Sequence, residues 1–214
     1  MKIGIVGSGE VGQALGRGFA AVGHEVMIGT REPSGGKLDA WKTQVGPRAA
    51  VGTFEDAARF GELVVVATLW TGTKSALDLA GIQNLSGKVI IDVTNPLLFH
   101  EGGMPTLAVG HTDSGGEQVQ RWLRDARVVK AFNGTGNENF FKPNFPGGPP
   151  TMFIAGNDDV AKKTVADILV SFGWETVDTG GIENARLLEP LCILWVDYAV
   201  KNSSRTHAFK LLRK

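Results

Sequence analysis

The sequence contains almost no cysteine. Cys192 is the only one among 214 residues, so one chain can form neither an internal disulfide nor a site with several thiolate ligands. The four histidines show no spacing that would join them as metal ligands, and no carboxylate cluster accompanies them. We therefore expect no metal, and a reducing, cytoplasmic environment.

An excess of charge of either sign is also absent. Lys plus Arg and Asp plus Glu each number 22, which leaves no global basic field for nucleic acid or an anionic membrane. No apolar run approaches the roughly 20 residues of a membrane-spanning helix, and the first run is too short for a signal-peptide core. We expect neither nucleic acid nor a membrane as a partner.

Short apolar runs alternate with segments of helical spacing along the chain. Lys2 to Val6 predicts a strand, Val11 to Val22 a helix and His24 to Gly29 a second strand. Further strand-like runs lie at 63–67, 88–93, 127–131 and 151–155. This alternation predicts an α/β fold, a doubly wound and mainly parallel sheet of the Rossmann NAD(P)-binding type.

The sequence shows no sharp domain boundary, and we place one near residue 150. We assign 1–150 to a dinucleotide-binding domain and 151–214 to a small C-terminal extension that continues the same sheet. The extension should contain a helix at 158–172, a strand at 174–177 and an apolar helix at 184–200. Glycine and proline predict loops at 33–37, 95–116 and 143–150.

A glycine-rich turn directly follows the first strand and opens the first helix. It reads Gly7-Ser8-Gly9-Glu10-Val11-Gly12. In this setting the first glycine permits a tight turn, the second lets the backbone approach a pyrophosphate, and the third lets helix and strand pack closely. The positive end of the helix would then meet the phosphates, which predicts a dinucleotide site.

The end of the second strand indicates which dinucleotide is bound. Proteins that bind NAD usually carry Asp or Glu there to hold the ribose hydroxyls, whereas this chain has Thr30 and Arg31. A guanidinium can form charge-assisted, bidentate bonds to a phosphate. Ser34 and Lys37 lie in the same loop and could contribute. We therefore expect NADP(H) rather than NAD(H).

With these residues in place, the chain resembles the NADP oxidoreductases that use the deazaflavin coenzyme F420, whose fold also occurs in the reductase domain of the STEAP metalloreductases. The similarity extends over nearly the whole length. The matching segments are Gly7 to Gly12, Gly29-Thr30-Arg31, Asp92-Val93-Thr94-Asn95-Pro96, Val128-Val129-Lys130-Ala131-Phe132-Asn133 and Asn184-Ala185-Arg186-Leu187-Leu188-Glu189-Pro190-Leu191.

The resemblance implies hydride transfer between NADP(H) and a planar acceptor stacked over the nicotinamide, either the deazaflavin or a flavin. It also implies that the nicotinamide half is bordered by Thr68-Leu69-Trp70, Asn95-Pro96 and Ala131-Phe132-Asn133. The chain departs from the family at Thr68-Leu69, where valine-proline is common, and at Gly134, where threonine is common. Both departures concern the acceptor more than NADP(H).

No side chain is assigned as a catalytic acid or base, because a ring acceptor can delocalise the arriving charge. An imine or carbonyl substrate would need a proton donor, for which Lys130, His100 and His111 are the candidates. A quinone, or a redox sensor that binds NADP(H) without turnover, remains an alternative.

The last helix carries three further expectations. Tyr198 reads as a packing residue, and Arg186 with Glu189 as a surface pair one helical turn apart. The resemblance suggests that this helix lies near the cleft or at a dimer seam, and we expect a homodimer.

Overall fold

Ten strands and eight helices are present in the computed structural model, which describes residues 1–214. The strands are β1 Lys2–Val6, β2 Glu25–Gly29, β3 Ala49–Gly52, β4 Leu63–Val66, β5 Val89–Asp92, β6 Leu97–Leu98, β7 Thr106–Leu107, β8 Arg127–Lys130, β9 Thr151–Gly156 and β10 Glu175–Asp178. The helices are α1 Glu10–Ala21, α2 Asp39–Val45, α3 Phe54–Phe60, α4 Trp70–Ala80, α5 Ile82–Leu85, α6 Gly115–Trp122, α7 Asp159–Ser171 and α8 Ala185–Asn202.

Eight strands form one sheet in the order β3-β2-β1-β4-β5-β8-β9-β10. The six strands from β3 to β8 in this order run parallel. β9 runs antiparallel to β8 and pairs with it through only two residue pairs, whereas β10 runs parallel to β9. The expected α/β, doubly wound and mainly parallel Rossmann sheet is confirmed.

The central strands are buried on both faces because helices cover both sides of the sheet. Every residue of β4 and β5 is buried, as their nearly continuous Val and Ile content predicts for a parallel sheet. One face packs on α1 and α7 through Phe19 and Phe172, and the other on α4 and α6 through Leu77 and Val119. None of the helices combines the length and the apolar content needed to cross a membrane.

Some elements were not expected from the sequence patterns. β3, with the sequence Ala-Ala-Val-Gly, has no bulky apolar run and gains its place by pairing with β2. The segment 95–116 is not only a loop, because β6 and β7 form an antiparallel hairpin within it and α6 begins at Gly115.

The chain end returns to the sheet where β8 and β9 separate. The Phe209 carbonyl accepts a hydrogen bond from the Thr151 N–H at 2.9 Å, and the Leu211 N–H donates to Thr151 Oγ1 at 3.0 Å. β9 and β10 belong to the same sheet as the six parallel strands from β3 to β8. A domain boundary at residue 150 stays a prediction.

Candidate functional site

The strand order places a crevice at the carboxyl ends of β1 and β4, on either side of which the chain winds in opposite directions. α1, after β1, packs on one face of the sheet, whereas α4, after β4, packs on the other. The loops after β5 and β8 begin at the same edge, because these strands run parallel to β4. The segments expected to line the site therefore share one edge of the sheet.

The glycine turn after β1 has the shape that a phosphate site needs. Gly7 has a φ of 133°, and a methyl group there would lie 2.2 Å from the Ala67 carbonyl oxygen at the end of β4. At Gly12 a methyl would lie 2.1 Å from the Gly7 carbonyl oxygen, so helix and turn are in close contact. At Gly9 it would meet nothing within 4 Å. The turn is thus tight on the protein side and open toward the crevice.

The first turn of α1 offers free hydrogen-bond donors to this open space. The first backbone bond of the helix runs from the Gln13 N–H to the Gly9 carbonyl at 3.0 Å, and no side chain caps the helix. The N–H groups of Glu10 and Val11 therefore have no partner within the chain. Such donors, at the positive end of a helix, are suited to an anion.

Two cations stand beside the turn without an acidic partner. Arg31 and Lys37 are exposed, and neither forms a salt bridge. Lys37 Nζ lies 3.5 Å from Ser8 Oγ, which in turn donates to Thr30 Oγ1 at 3.3 Å. Ser34 is exposed in the same loop. Hydroxyl and cationic groups thus surround the end of β2.

The segment after β4 presents an apolar surface to the crevice edge. Leu69 is 73% exposed. The Trp70 indole stacks on Trp122 at a centroid distance of 5.6 Å and is half-buried. The Thr68 hydroxyl does not face solvent freely, because it hydrogen-bonds Thr73 Oγ1 at 2.9 Å.

Asn95 and Asn133 join the loops after β5 and β8. Asn95 Nδ2 donates to the Asn133 carbonyl at 2.9 Å, and Asn133 Nδ2 donates to the Leu188 carbonyl of α8 at 2.7 Å. Pro96 and Ala131 are buried. Phe132 is buried too, with a φ of 59° and its ring in the core beside Phe140 and Phe172. The Phe132 ring is therefore part of the core, and only its backbone is near the edge.

Beneath these loops lies a buried cluster of three charges, Asp92, Lys130 and Glu189, each at most 1% exposed. Lys130 Nζ lies 2.7 Å from Asp92 Oδ2 and 2.9 Å from Glu189 Oε1, and donates to the Thr94 carbonyl at 2.7 Å. Glu189 also accepts the N–H groups of Gly115 and Gly116 at 3.0 and 2.9 Å. We call this group the buried triad.

The buried triad removes Lys130 as a proton donor to substrate. Burial lowers the pKa of Lys130, but Asp92 and Glu189 outweigh burial, and the pKa lies above its ordinary value. The ammonium forms ion pairs with Asp92 and Glu189 and donates a hydrogen bond to the Thr94 carbonyl, all within the fold. In this structure Lys130 therefore presents no free proton to the crevice.

Two expectations about α8 are wrong. Glu189 does not pair with Arg186 on the surface, because it points inward to Lys130 while Arg186 Nε donates to Glu117 Oε2 of α6 at 2.8 Å. Tyr198 is not buried in packing but 52% exposed, with its ring against His207.

The two remaining histidine candidates lie on the surface. His100 and His111 are both exposed. His100 Nε2 lies 2.8 Å from Thr106 Oγ1 across the hairpin, and His111 has a φ of 58°. Of the three proton-donor candidates named from the sequence, Lys130 is thus buried, whereas His100 and His111 are exposed on the segment 95–116.

Sheet order and glycine turn together define a Rossmann-type protein, and comparison with known proteins gives the family. A family model described as NADP oxidoreductase, coenzyme F420-dependent, matches residues 2–96. A crystal structure from Arthrobacter sp. FB24, provisionally named an F420-dependent NADP-reductase, superposes with a TM-score of 0.94 at 38% identity, over the whole of both chains. The chain belongs to the F420-dependent NADP oxidoreductase family.

Curated relatives are more distant in sequence. The F420-dependent NADP reductase of Methanothermobacter thermautotrophicus is 28% identical over 99% of this chain and 94% of its own. The rat metalloreductase STEAP3 is 28% identical over 89% of this chain, which corresponds to 36% of the metalloreductase. The resemblance stated from the motifs is confirmed.

The sequence reasoning missed the buried triad, although each member lies in a segment that carried the resemblance. A signal was present: Asp92 ends an otherwise apolar strand, Lys130 follows two valines at the end of β8, and Glu189 lies in an apolar helix. Charged side chains in such places are buried only when paired. Nothing local indicates which charge pairs with which.

Cys192 gives a test of how dry this region is. Burial, reinforced by Glu189 and opposed by Lys130, raises the pKa of its thiol to about 11, so about one molecule in a thousand is a thiolate at pH 8. We expect Cys192 to react with a disulfide reagent far more slowly in the native protein than in denaturant. Equal rates would contradict the burial of this face of α8.

Proposed function

We propose that the protein is an NADP(H)-dependent oxidoreductase that transfers hydride between the nicotinamide and a planar ring acceptor, coenzyme F420 or a flavin. The observation that carries this proposal is the glycine turn, which is open at Gly9 and flanked by the unpaired cations Arg31 and Lys37. Family membership supports both the dinucleotide and the class of acceptor.

At the adenosine end, the chain supplies donors and positive charge. The free N–H groups of Glu10 and Val11, with the Gly7-Ser8-Gly9 backbone, would hold the pyrophosphate. Thr30, Arg31, Ser34 and Lys37 would hold the 2′-phosphate by charge-assisted hydrogen bonds. Because these side chains are largely exposed, they can adjust to the phosphate without breaking existing ion pairs.

At the nicotinamide end, the chain supplies shape rather than acid–base chemistry. A bound nicotinamide supplies the hydride. Thr68-Leu69-Trp70, Asn95-Pro96 and Ala131-Phe132-Asn133 would border that ring, and the exposed Leu69 and Phe99 give the cleft an apolar margin. The segment 95–116, including its hairpin, would help to enclose the acceptor.

The positions of the possible proton donors favour a ring acceptor over an imine or a carbonyl. Reduction of C=N or C=O needs a proton donor within hydrogen-bond reach of the reacting atom. Lys130 is committed to the buried triad, and His100 and His111 lie on the surface. Holding two rings at near-attack distance is what the remaining residues can do.

The function is tested by following NADPH oxidation with deazaflavin, FMN, FAD, a quinone and a cyclic imine as acceptors. We expect turnover with the deazaflavin or a flavin. Turnover with the imine alone would replace the ring acceptor by the alternative substrate class. Tight NADPH binding without turnover on any acceptor would favour a redox sensor.

Selectivity for the 2′-phosphate is tested by Arg31→Ala. Loss of a charged partner should weaken NADPH by about tenfold to a hundredfold, while NADH binding stays unchanged. The matched control is Arg48→Ala, an exposed arginine just before the amino end of β3, which should affect neither. Equal losses of NADPH and NADH in Arg31→Ala would show that the arginine does not read the phosphate. Calorimetry measures the affinities of the wild type and of both variants for NADPH and for NADH.

We also propose that the protein is a cytoplasmic homodimer, joined through the outer face of α8. Leu187, Leu194 and Tyr198 lie on one side of this helix and are 67%, 54% and 52% exposed. The opposite side is buried through Leu188, Cys192 and Trp195. An apolar stripe over three turns of a single helix is typical of a contact surface, and a two-fold axis would pair the stripe with itself.

The dimer is tested by Leu194→Glu. A charge in the middle of the stripe should convert a dimer into a monomer, measured by light scattering at matched concentrations. Val170→Glu is the control, since Val170 is 66% exposed on α7, away from the stripe. A wild-type protein that is already monomeric, or a dimer that persists in Leu194→Glu, would reject this interface.

A further inference from the structure

We propose that Lys130 and Glu189 are positioning residues for the nicotinamide half of the dinucleotide, an inference that rests on the proposed function. Neither touches the crevice, because both are at most 1% exposed. Their influence would pass through Asn95, Asn133 and Trp70, which do lie at the carboxyl edge. Each connection runs through hydrogen bonds or close contacts of these residues or of their immediate neighbours in the chain.

The first connection fixes the loop after β5. The Thr94 carbonyl accepts from Lys130 Nζ at 2.7 Å, and Thr94 immediately precedes Asn95. Asp92 holds the same loop from below, since its Oδ1 accepts the Thr94 N–H at 2.9 Å and the Thr94 hydroxyl at 2.7 Å. The backbone that presents Asn95 and Pro96 is therefore fixed from both sides by the buried triad.

The second connection fixes the start of α6 against the crevice wall. Glu189 binds the N–H groups of Gly115 and Gly116. A methyl group at Gly115 would lie 3.0 Å from Glu189 Oε1, 3.1 Å from the Trp70 ring and 3.3 Å from Pro96 Cδ. The carboxylate, the indole and the proline thus all approach Gly115 closely, so Glu189 holds in place a backbone segment that lies beside both wall residues.

The third connection joins α8 to the loops after β8 and β5. Leu188, the neighbour of Glu189, accepts from Asn133 Nδ2 at 2.7 Å, and the Asn133 carbonyl accepts from Asn95 Nδ2 at 2.9 Å. The loops after β5 and β8 and the helix α8 are therefore linked in one ring of hydrogen bonds. The buried triad belongs to the same network through Thr94 and Glu189.

The choice of charged residues supports a positioning role. Burying three ions is costly, and well-packed apolar residues of similar volume often stabilise a fold as well or better. What ions add is direction: Lys130 must point at three oxygens and Glu189 at two N–H groups. Directional bonds hold a wall to a fraction of an ångström, which a binding site for a planar ring requires.

The test compares two ligands in Glu189→Gln. Binding of NADPH and of 2′-phospho-ADP-ribose, which lacks the nicotinamide, is measured by calorimetry. We expect NADPH to weaken by about tenfold, whereas the fragment, held only at the adenosine end, keeps its affinity. A purely structural defect would weaken both ligands by the same factor, and that result, or no change in either, would overturn the inference.

The matched control is Glu117→Gln. Glu117 also joins α6 to α8, and its carboxylate accepts hydrogen bonds from Arg186 and Ser114 but from none of Asn95, Asn133 or Trp70. We expect its ratio of NADPH to fragment affinity to equal that of the wild type. If Glu189→Gln does not fold, Glu189→Asp keeps the charge while withdrawing the carboxylate by one methylene, and the same fall in the ratio is expected. A wild-type protein that binds neither ligand would overturn the proposed function and this inference with it.

Discussion

The carboxyl edge of the sheet depends on the burial of two carboxylates with a single ammonium. All three side chains are at most 1% exposed, and burial costs on the order of several kcal/mol for each uncompensated ion. The N–H groups of Gly115 and Gly116, at the positive end of α6, donate hydrogen bonds to Glu189 and stabilise its negative charge. Two strand ends, the start of α6 and helix α8 therefore meet at this cluster, because Asp92 ends β5, Lys130 ends β8 and Glu189 lies in α8.

The two ends of the crevice differ in whether their charged and polar groups have partners inside the protein. The end at the glycine turn has unpaired cations, bare N–H groups and open space at Gly9, which suit an anion from outside. At the opposite end the charges of the buried triad are paired with one another inside the protein. The first end can adapt to its ligand, whereas the second offers a fixed surface.

The sequence was sufficient for the sheet and the phosphate turn because both depend on local patterns. Apolar runs and glycine spacing repeat within a few residues, and they predicted β1, α1 and β2 almost to the residue. The inward direction of Glu189 and the exposure of Tyr198 could not be predicted, since both depend on which face of α8 meets the sheet. β3 was missed for a related reason: its small residues are held by pairing with β2 and not by their own propensity.

The buried triad joins parts of the chain that are far apart in sequence. Asp92 and Lys130 end adjacent strands and lie 38 residues apart, whereas Glu189 comes 59 residues after Lys130. The start of α6, which supplies the Gly115 and Gly116 donors to Glu189, lies between the two strands in sequence. A chain truncated before residue 189 would therefore keep both strands and α6 but leave these two donors without their acceptor.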